Sequence, residues 1–168
     1  MIFTIKQGQH YSNQGLYKWY NRNVKNPKLG YSVVLSDSCW YQNDIVAYSG
    51  WNKIFGFGAK LHHWNSARLV WQPNFERAGK LTVSAYVYEM GSWIAIPFAE
   101  VSTNSAVSMG IQVVDNRYVF YCGKEFVDYR HHNPQYDKAL WPYFGGWDRA
   151  YTDMSVSLQR INDIKWIE

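Results

Sequence analysis

Leu81-Thr82-Val83-Ser84-Ala85-Tyr86-Val87-Tyr88 is the stretch on which the fold turns. Its odd positions are aliphatic, and its even positions carry hydroxyls and phenol rings. Successive side chains of an extended chain point to opposite faces, so this segment reads as a strand with one aliphatic face and one hydroxyl-rich, aromatic face. The same period of two recurs on either side of it. Strands are predicted near 29–35, 53–58, 67–72 and 93–99, and Met1 to Lys6 also alternates like a strand. Val107, Met109, Ile111 and Val113 form another alternating run, and Tyr118 to Cys122 follows it after the Asp115-Asn116 turn, which predicts a hairpin. Near the end, Met154, Val156 and Leu158 interleave with Ser155, Ser157 and Gln159, a strand with one face buried and one wet.

Turn pairs punctuate these runs at Asn26-Pro27, Ser49-Gly50, Pro73-Asn74, Gly91-Ser92, Cys122-Gly123 and Gly145-Gly146. No amphipathic helix longer than two turns is present, and one short helical turn is predicted within 133–141. Many short strands at regular spacing predict an all-β fold, an antiparallel β-sandwich of jelly-roll or concanavalin-like form. With no repeat, low-complexity tract or linker, residues 1–168 read as a single domain.

Composition narrows the function. The chain has 47% apolar residues, which excludes disorder, and 18% aromatic residues, including 9 Trp and 14 Tyr. Tyr and Trp pair an apolar ring with a polar tip, which suits wet binding surfaces. The net charge of +4 comes from Lys and Arg spread along the chain, so no nucleic-acid arm is expected. No stretch approaches the ~20 apolar residues that span a bilayer, and the start of the chain lacks the pattern of a secretory signal. Cys39 and Cys122 do not make a disulfide scaffold and are expected to be free thiols of a protein made in a reducing cytoplasm.

Three segments could carry chemistry. In Lys60-Leu61-His62-His63-Trp64-Asn65-Ser66-Ala67-Arg68, two imidazoles and an amide sit in a loop before a strand, and Arg68 interrupts an apolar strand. A buried Arg needs a partner, and Asp148 and Asp153 are the candidates. His131 and His132 repeat the paired-His theme. If both pairs gather at one end of the sandwich, three ligands for a metal become available; however, neither thiolates nor regular ligand spacing accompany them, so His62, His63, His131 and His132 are read first as hydrogen-bonded structural residues, and no cofactor is expected. In the third segment, Trp141, Tyr143, Phe144, Trp147 and Tyr151 cannot all face a core if the chain is extended, so some must meet solvent, a sugar or another chain. Catalysis has little support: Glu89, Glu100, Asp115 and Asp148 lie in no diagnostic pair, and no nucleophile motif is visible. A Tyr-His-Arg cluster on a concave sheet face would revive the reading as a glycan lyase or hydrolase.

His62-His63-x-Asn65-Ser66-Ala67-Arg68-x-x-Trp71, followed by the alternating strand Leu81 to Tyr88, and then Leu140-x-x-Tyr143-Phe144-Gly145-Gly146 and Met154, resembles a family of small proteins encoded by phages of gut Bacteroidota, including crAss-like phages, and by their hosts' genomes. The likeness covers roughly residues 50 to 160. Family members often read Ala-Pro-His-Asp before the last strand, where this chain has Ala150-Tyr151-Thr152-Asp153, so a role for that histidine does not carry over. The resemblance implies a jelly-roll or concanavalin-like sandwich and a virion-associated tail or capsid accessory protein.

Two functions follow as expectations. The first is a virion accessory protein, made in the host cytoplasm, that docks on a larger structural protein in symmetric copies through aromatic surface. The second is a lectin-like module for host glycan, with a polysaccharide-degrading enzyme, a lyase or hydrolase, behind both. The binding candidates are Trp64, Asn65, Arg68, Trp93, Trp147, Asp148 and Tyr151; none is assigned a catalytic role, and neither nucleic acid nor membrane is expected as a partner.

Overall fold

The computed structural model describes residues 1–20, 23–42, 50–146, 148–162 and 164–166. Among these the chain forms β1 (Ile2–Ile5), β2 (Tyr17–Trp19), β3 (Lys28–Leu35), β4 (Asn52–Gly58), β5 (Ser66–Pro73), β6 (Lys80–Glu89), β7 (Ser92–Ser102), β8 (Val107–Val114), β9 (Arg117–Cys122), β10 (Glu125–Arg130), β11 (Lys138–Leu140) and β12 (Met154–Arg160). They build an antiparallel β-sandwich of two six-stranded sheets. The first runs β1-β12-β3-β8-β9-β10 and the second β2-β11-β4-β5-β6-β7.

The alternation in the deciding stretch works as expected. Leu81, Val83, Ala85 and Val87 point inward and are sealed, beside Leu69 and Trp71 of β5 and Phe55 and Phe57 of β4. The opposing sheet contributes Tyr31, Val33, Met109, Ile111, Val156 and Leu158 to the same core. Trp71 is fully buried, and its indole N–H donates to the Cys39 carbonyl at 3.2 Å, so its one polar group is satisfied. Truncating such a residue to Ala costs about 3–5 kcal/mol. Cys39 and Cys122 are free and buried, and burial pushes both thiols up to about 12, which leaves them unreactive. The Asp115-Asn116 hairpin forms with φ of 47° and 58°, the left-handed pair that a two-residue turn requires.

Three features depart from the sequence reading. The helical turn expected within 133–141 is absent; Lys138–Leu140 is strand β11, paired to β2 on one side and β4 on the other. Two ladders satisfy its backbone groups, which a single helical turn would leave largely unpaired. Strands β2 and β10 and a 3₁₀ turn at Asp37–Cys39 carry no periodic signal, because β2 spans only three residues, all exposed, and β10 is an edge with one thinly covered face. In the aromatic segment, Trp141 and Phe144 are core, Tyr143 is half-buried, and Tyr151 is exposed while packing on Tyr41 and Phe144. Trp147 lies outside the described residues.

Candidate functional site

The outer face of the second sheet is built from cross-strand rungs. One rung runs Tyr17, Leu140, Gly56, Arg68, Tyr86, Ala95, and the next runs Trp19, Lys138, Gly58, Ser66, Tyr88, Trp93. Arg68 and Tyr86, two residues that one-letter periodicity treats as unrelated, are therefore direct neighbours. Gly56 makes their arrangement possible: a methyl group there would collide with the Ala67 carbonyl and lie 2.9 Å from Arg68 Cγ. The missing side chain lets the arginine lie flat across β4.

Two loops raise walls above this floor. On one side the 59–65 loop folds over Gly58 and is closed by Ala59 N–H to the Asn65 carbonyl at 3.0 Å. Asn65 Oδ1 accepts from Met90 N–H at 3.2 Å, and Gly91 N–H donates to the Trp64 carbonyl at 3.1 Å, so the histidine loop is fastened to the β6–β7 turn. On the other side Tyr143 bridges both Lys53 and Tyr11, and Gly145 N–H donates to Asn52 Oδ1 at 2.7 Å. A register shift between Lys53 and Phe55 turns Lys53 outward, where its ammonium donates to the Gly145 carbonyl at 2.8 Å.

The result is an open cleft of about 560 Å³, within the range of small-molecule sites. Its walls are aromatic: Trp93 stacks on Tyr86 at 5.3 Å and 16°, Tyr88 meets Tyr86 at 5.5 Å and the His63 ring edge-on at 5.7 Å, and Tyr11 meets Tyr143 at 5.2 Å. Its cations among the described residues are Arg68 and Lys53, and no carboxylate among those residues lines it. Arg68 is only 3% exposed, yet among the described residues its Nε and Nη2 have no hydrogen-bond partner, and the Ser66 and Ser84 hydroxyls on the same face also lack one.

Electrostatics follow from this crowding. Burial lowers Arg68 to about 10, opposed by the phenols of Tyr86, Tyr88 and Tyr143 around it, so it stays charged at neutral pH. Burial, then the Arg68 charge, brings Lys53 down to about 7. Burial, then Arg68, brings His62 down to about 4, and the same causes lower His63. Both imidazoles are thus neutral at pH 7 and able to accept a proton. Burial, with the hydrogen bond that the Tyr86 hydroxyl donates to Tyr88 adding to it, lifts Tyr86 above the usual phenol range.

Of the sequence candidates, Arg68 and Trp93 line the cleft, and His62 and His63 join them. Trp64 packs over Gly91 beside it, and Asn65 is a loop fastener. Asp148 and Tyr151 do not line it, and Trp147 lies outside the described residues. The carboxylates expected to neutralise Arg68 do not meet it. Asp153 lies at the start of β12 in the other sheet, where it accepts from Lys6 Nζ at 2.6 Å and Gln7 N–H at 2.9 Å, and no ion pair joins Asp148 to Arg68 among the described residues. The two His pairs are used differently. His131 is buried with both ring nitrogens engaged, Nε2–H to the Tyr88 carbonyl at 3.2 Å and Nδ1 accepting from Asn133 N–H at 3.0 Å, and His132 N–H binds Glu89 at 2.6 Å. Among the described residues no three His, Cys, Asp or Glu gather to hold a metal. Tyr143, one of the aromatic-segment rings of which some were expected to meet solvent, a sugar or another chain, lines the cleft, whereas sequence reasoning does not reach Lys53, and the hydroxyl-rich face of β6 is the visible sign of Tyr86 and Tyr88.

No protein-family model matches the chain, and no curated protein does. Among solved structures it is similar to one described as a native glycosidic hydrolase, with a TM-score of 0.55 and 15% identity over 95% of this chain and 75% of that one. It is also similar to the carbohydrate-binding module CBM66 from Bacillus subtilis, with a TM-score of 0.47 and 10% identity over 94% of this chain and 91% of that one. The first likeness is one of fold.

Proposed function

We propose that this chain binds a carbohydrate bearing an anionic group, with the cleft on the outer face of the second sheet as its site. The observation that carries the reading is Arg68: a buried guanidinium with two nitrogens unpartnered among the described residues, at the floor of an aromatic-walled cleft that none of the described carboxylates lines. Holding a charge out of water without a partner is costly, and a bound anion offsets that cost. The rings of Trp93, Tyr86, Tyr88 and Tyr143 offer flat apolar faces with polar tips, the chemistry of a sugar's own alternating faces. Calorimetric titration with acidic and neutral oligosaccharides tests it. Acidic ligands are expected to bind, and Arg68→Met to weaken them by about thirtyfold or more, since losing one member of a buried charged pair costs at least about 2 kcal/mol. Binding of neutral and acidic sugars alike, unaffected at Arg68, would remove the reading.

The virion-accessory role is a second reading. Its support is the edge strand β2, where Tyr17 and Trp19 are exposed side by side with rings 5.6 Å apart. Mass spectrometry of purified phage particles tests it: a virion protein is recovered there in stoichiometric amounts and lost with Trp19→Ala, whereas its absence from the particles ends that reading.

A further inference from the structure

We propose that the cleft cleaves acidic polysaccharides by β-elimination: the uronate carboxylate sits on Arg68, His63 removes the proton from the adjoining C5, and Tyr88 protonates the departing C4 oxygen. The inference rests on the acidic-carbohydrate reading and adds a reaction to it. Three observations lead there. First, the two unpartnered nitrogens of Arg68 are Nε and Nη2, whose N–H bonds point the same way. That side-on fork accepts both oxygens of one carboxylate, and neutralising a carboxylate acidifies the hydrogen on the neighbouring carbon. Second, the described residues that line the cleft include no carboxylate pair of the kind glycoside hydrolysis commonly uses, and offer imidazole and phenol for proton transfer instead. Third, those groups adjoin the fork. Tyr88 is one rung from Arg68 on the neighbouring strand, and the His63 ring stands 5.7 Å from the Tyr88 ring. His63 is held neutral by burial and by Arg68 and Lys53, and so can accept a proton; Tyr88 brings an O–H to donate.

The step closes without a co-reactant. The C5–H electron pair becomes the C4=C5 π bond as the C4–O bond breaks. The C5 proton ends on His63, and the Tyr88 proton ends on the leaving chain as its new hydroxyl. Transfer from imidazolium to phenolate across their shared edge resets both. Because His63 and Tyr88 rise from one wall, base and acid reach one face of the sugar ring. That suits 4-linked D-mannuronate or D-glucuronate, in which the C5 hydrogen and C4 oxygen share a face, and not D-galacturonate or L-guluronate, in which they oppose.

Incubation of the full chain with polymannuronate, glucuronan, hyaluronan, polygalacturonate and polyguluronate provides the test, reading the ultraviolet absorbance of the conjugated C4=C5 acid alongside binding. Absorbance is expected with one or more of the first three only. Tyr88→Phe and His63→Ala should each lower kcat by about a hundredfold or more. Wild-type activity should fall in acid as His63, faced by His62, Arg68, Lys53 and Tyr88, takes up a proton. Binding that depends on Arg68 with no unsaturated product overturns the elimination and leaves the binding reading standing. Neither binding nor product overturns both. Product from galacturonate or guluronate alone overturns the assignment of base and acid to one face.

Discussion

The two outer sheet faces of this sandwich start from the same device and end differently. Each has a rung that includes glycine, which leaves a trough. On the first sheet the rung is Gly30, Gly110, Tyr121, Phe126, and the chain's own C-terminal segment fills it. A methyl on Gly110 would lie 2.6 Å from the Trp166 ring and 2.8 Å from Ile164, and the indole meets Tyr121 edge-on at 5.2 Å. Gln112 on that face accepts from the Tyr121 hydroxyl at 3.0 Å, so its buried carbonyl oxygen is satisfied. On the second sheet the Gly56 trough holds the Arg68 side chain, whose Nε and Nη2 find no partner among the described residues, and those residues leave the space above open. A fold that can seal one face with its own indole has the means to seal the other. Leaving it open over such a cation is what the proposed ligand site would require, stability being given up there for binding.

The largest expected effect tests whether the troughs are as tight as they look. Gly56→Ala puts a carbon against the backbone carbonyl of Ala67, where no flexible side chain can yield. The strands must separate, at about 3 kcal/mol. Gly110→Ala meets only the far ends of Trp166 and Ile164, which can lift away, so its cost should be nearer 1 kcal/mol, with a rise in tryptophan exposure. Urea melts of both variants check the contrast; equal costs would mean that the Trp166 cover is as unyielding as the backbone.

That contrast also locates what the sequence could tell. The sandwich was legible because a period of two needs no partner to be seen: Leu81 to Tyr88 declares its two faces alone, and so does Met154 to Gln159. Short strands paired on both sides, such as β11, are made by their neighbours, and three residues cannot show a period. Part of the site was legible too. Arg68 stood out as a charge in an apolar strand, His62 and His63 as chemistry in the loop before it, and Trp93 separately as an aromatic platform. Its lack of a carboxylate was not legible, because carboxylates exist elsewhere in the chain and only tertiary placement ties Asp153 to Lys6. Lys53 was hidden for a local reason: one extra residue in β4 changes which face it meets, and such a bulge leaves no mark in composition.

The second prediction reverses sign. Arg68→Met keeps most of the side chain's volume and removes the unpaired charge. It should raise stability by about 1–3 kcal/mol, or ~2–4 °C in Tm per kcal/mol, while weakening acidic-ligand binding by about thirtyfold or more. A calorimetric melt decides it, and a lower Tm would mean that the guanidinium is satisfied without a ligand. On the sealed face no such trade exists: Gln112→Met strips the Tyr121 hydroxyl of its acceptor and should destabilise by about 1 kcal/mol.

The smallest effect concerns how the open face responds to pH. Lys53 titrates near 7 in the folded chain, against an ordinary value of 10.5, chiefly because burial disfavours its charged form. Above pH 7 the unfolded chain holds this proton and the folded chain releases it, so the unfolded state binds more protons and stability rises with pH. Below pH 7 both states are protonated and the penalty is fully present. Between pH 7 and 8 the wild type should gain about 1 kcal/mol over Lys53→Met, in a window where His62, near 4, is already neutral. Acidic ligands respond the other way, binding more tightly as pH falls through 7 and the ammonium joins Arg68. If the difference between wild type and Lys53→Met does not change across that unit, the lysine is solvated and the cleft is wetter than its walls imply.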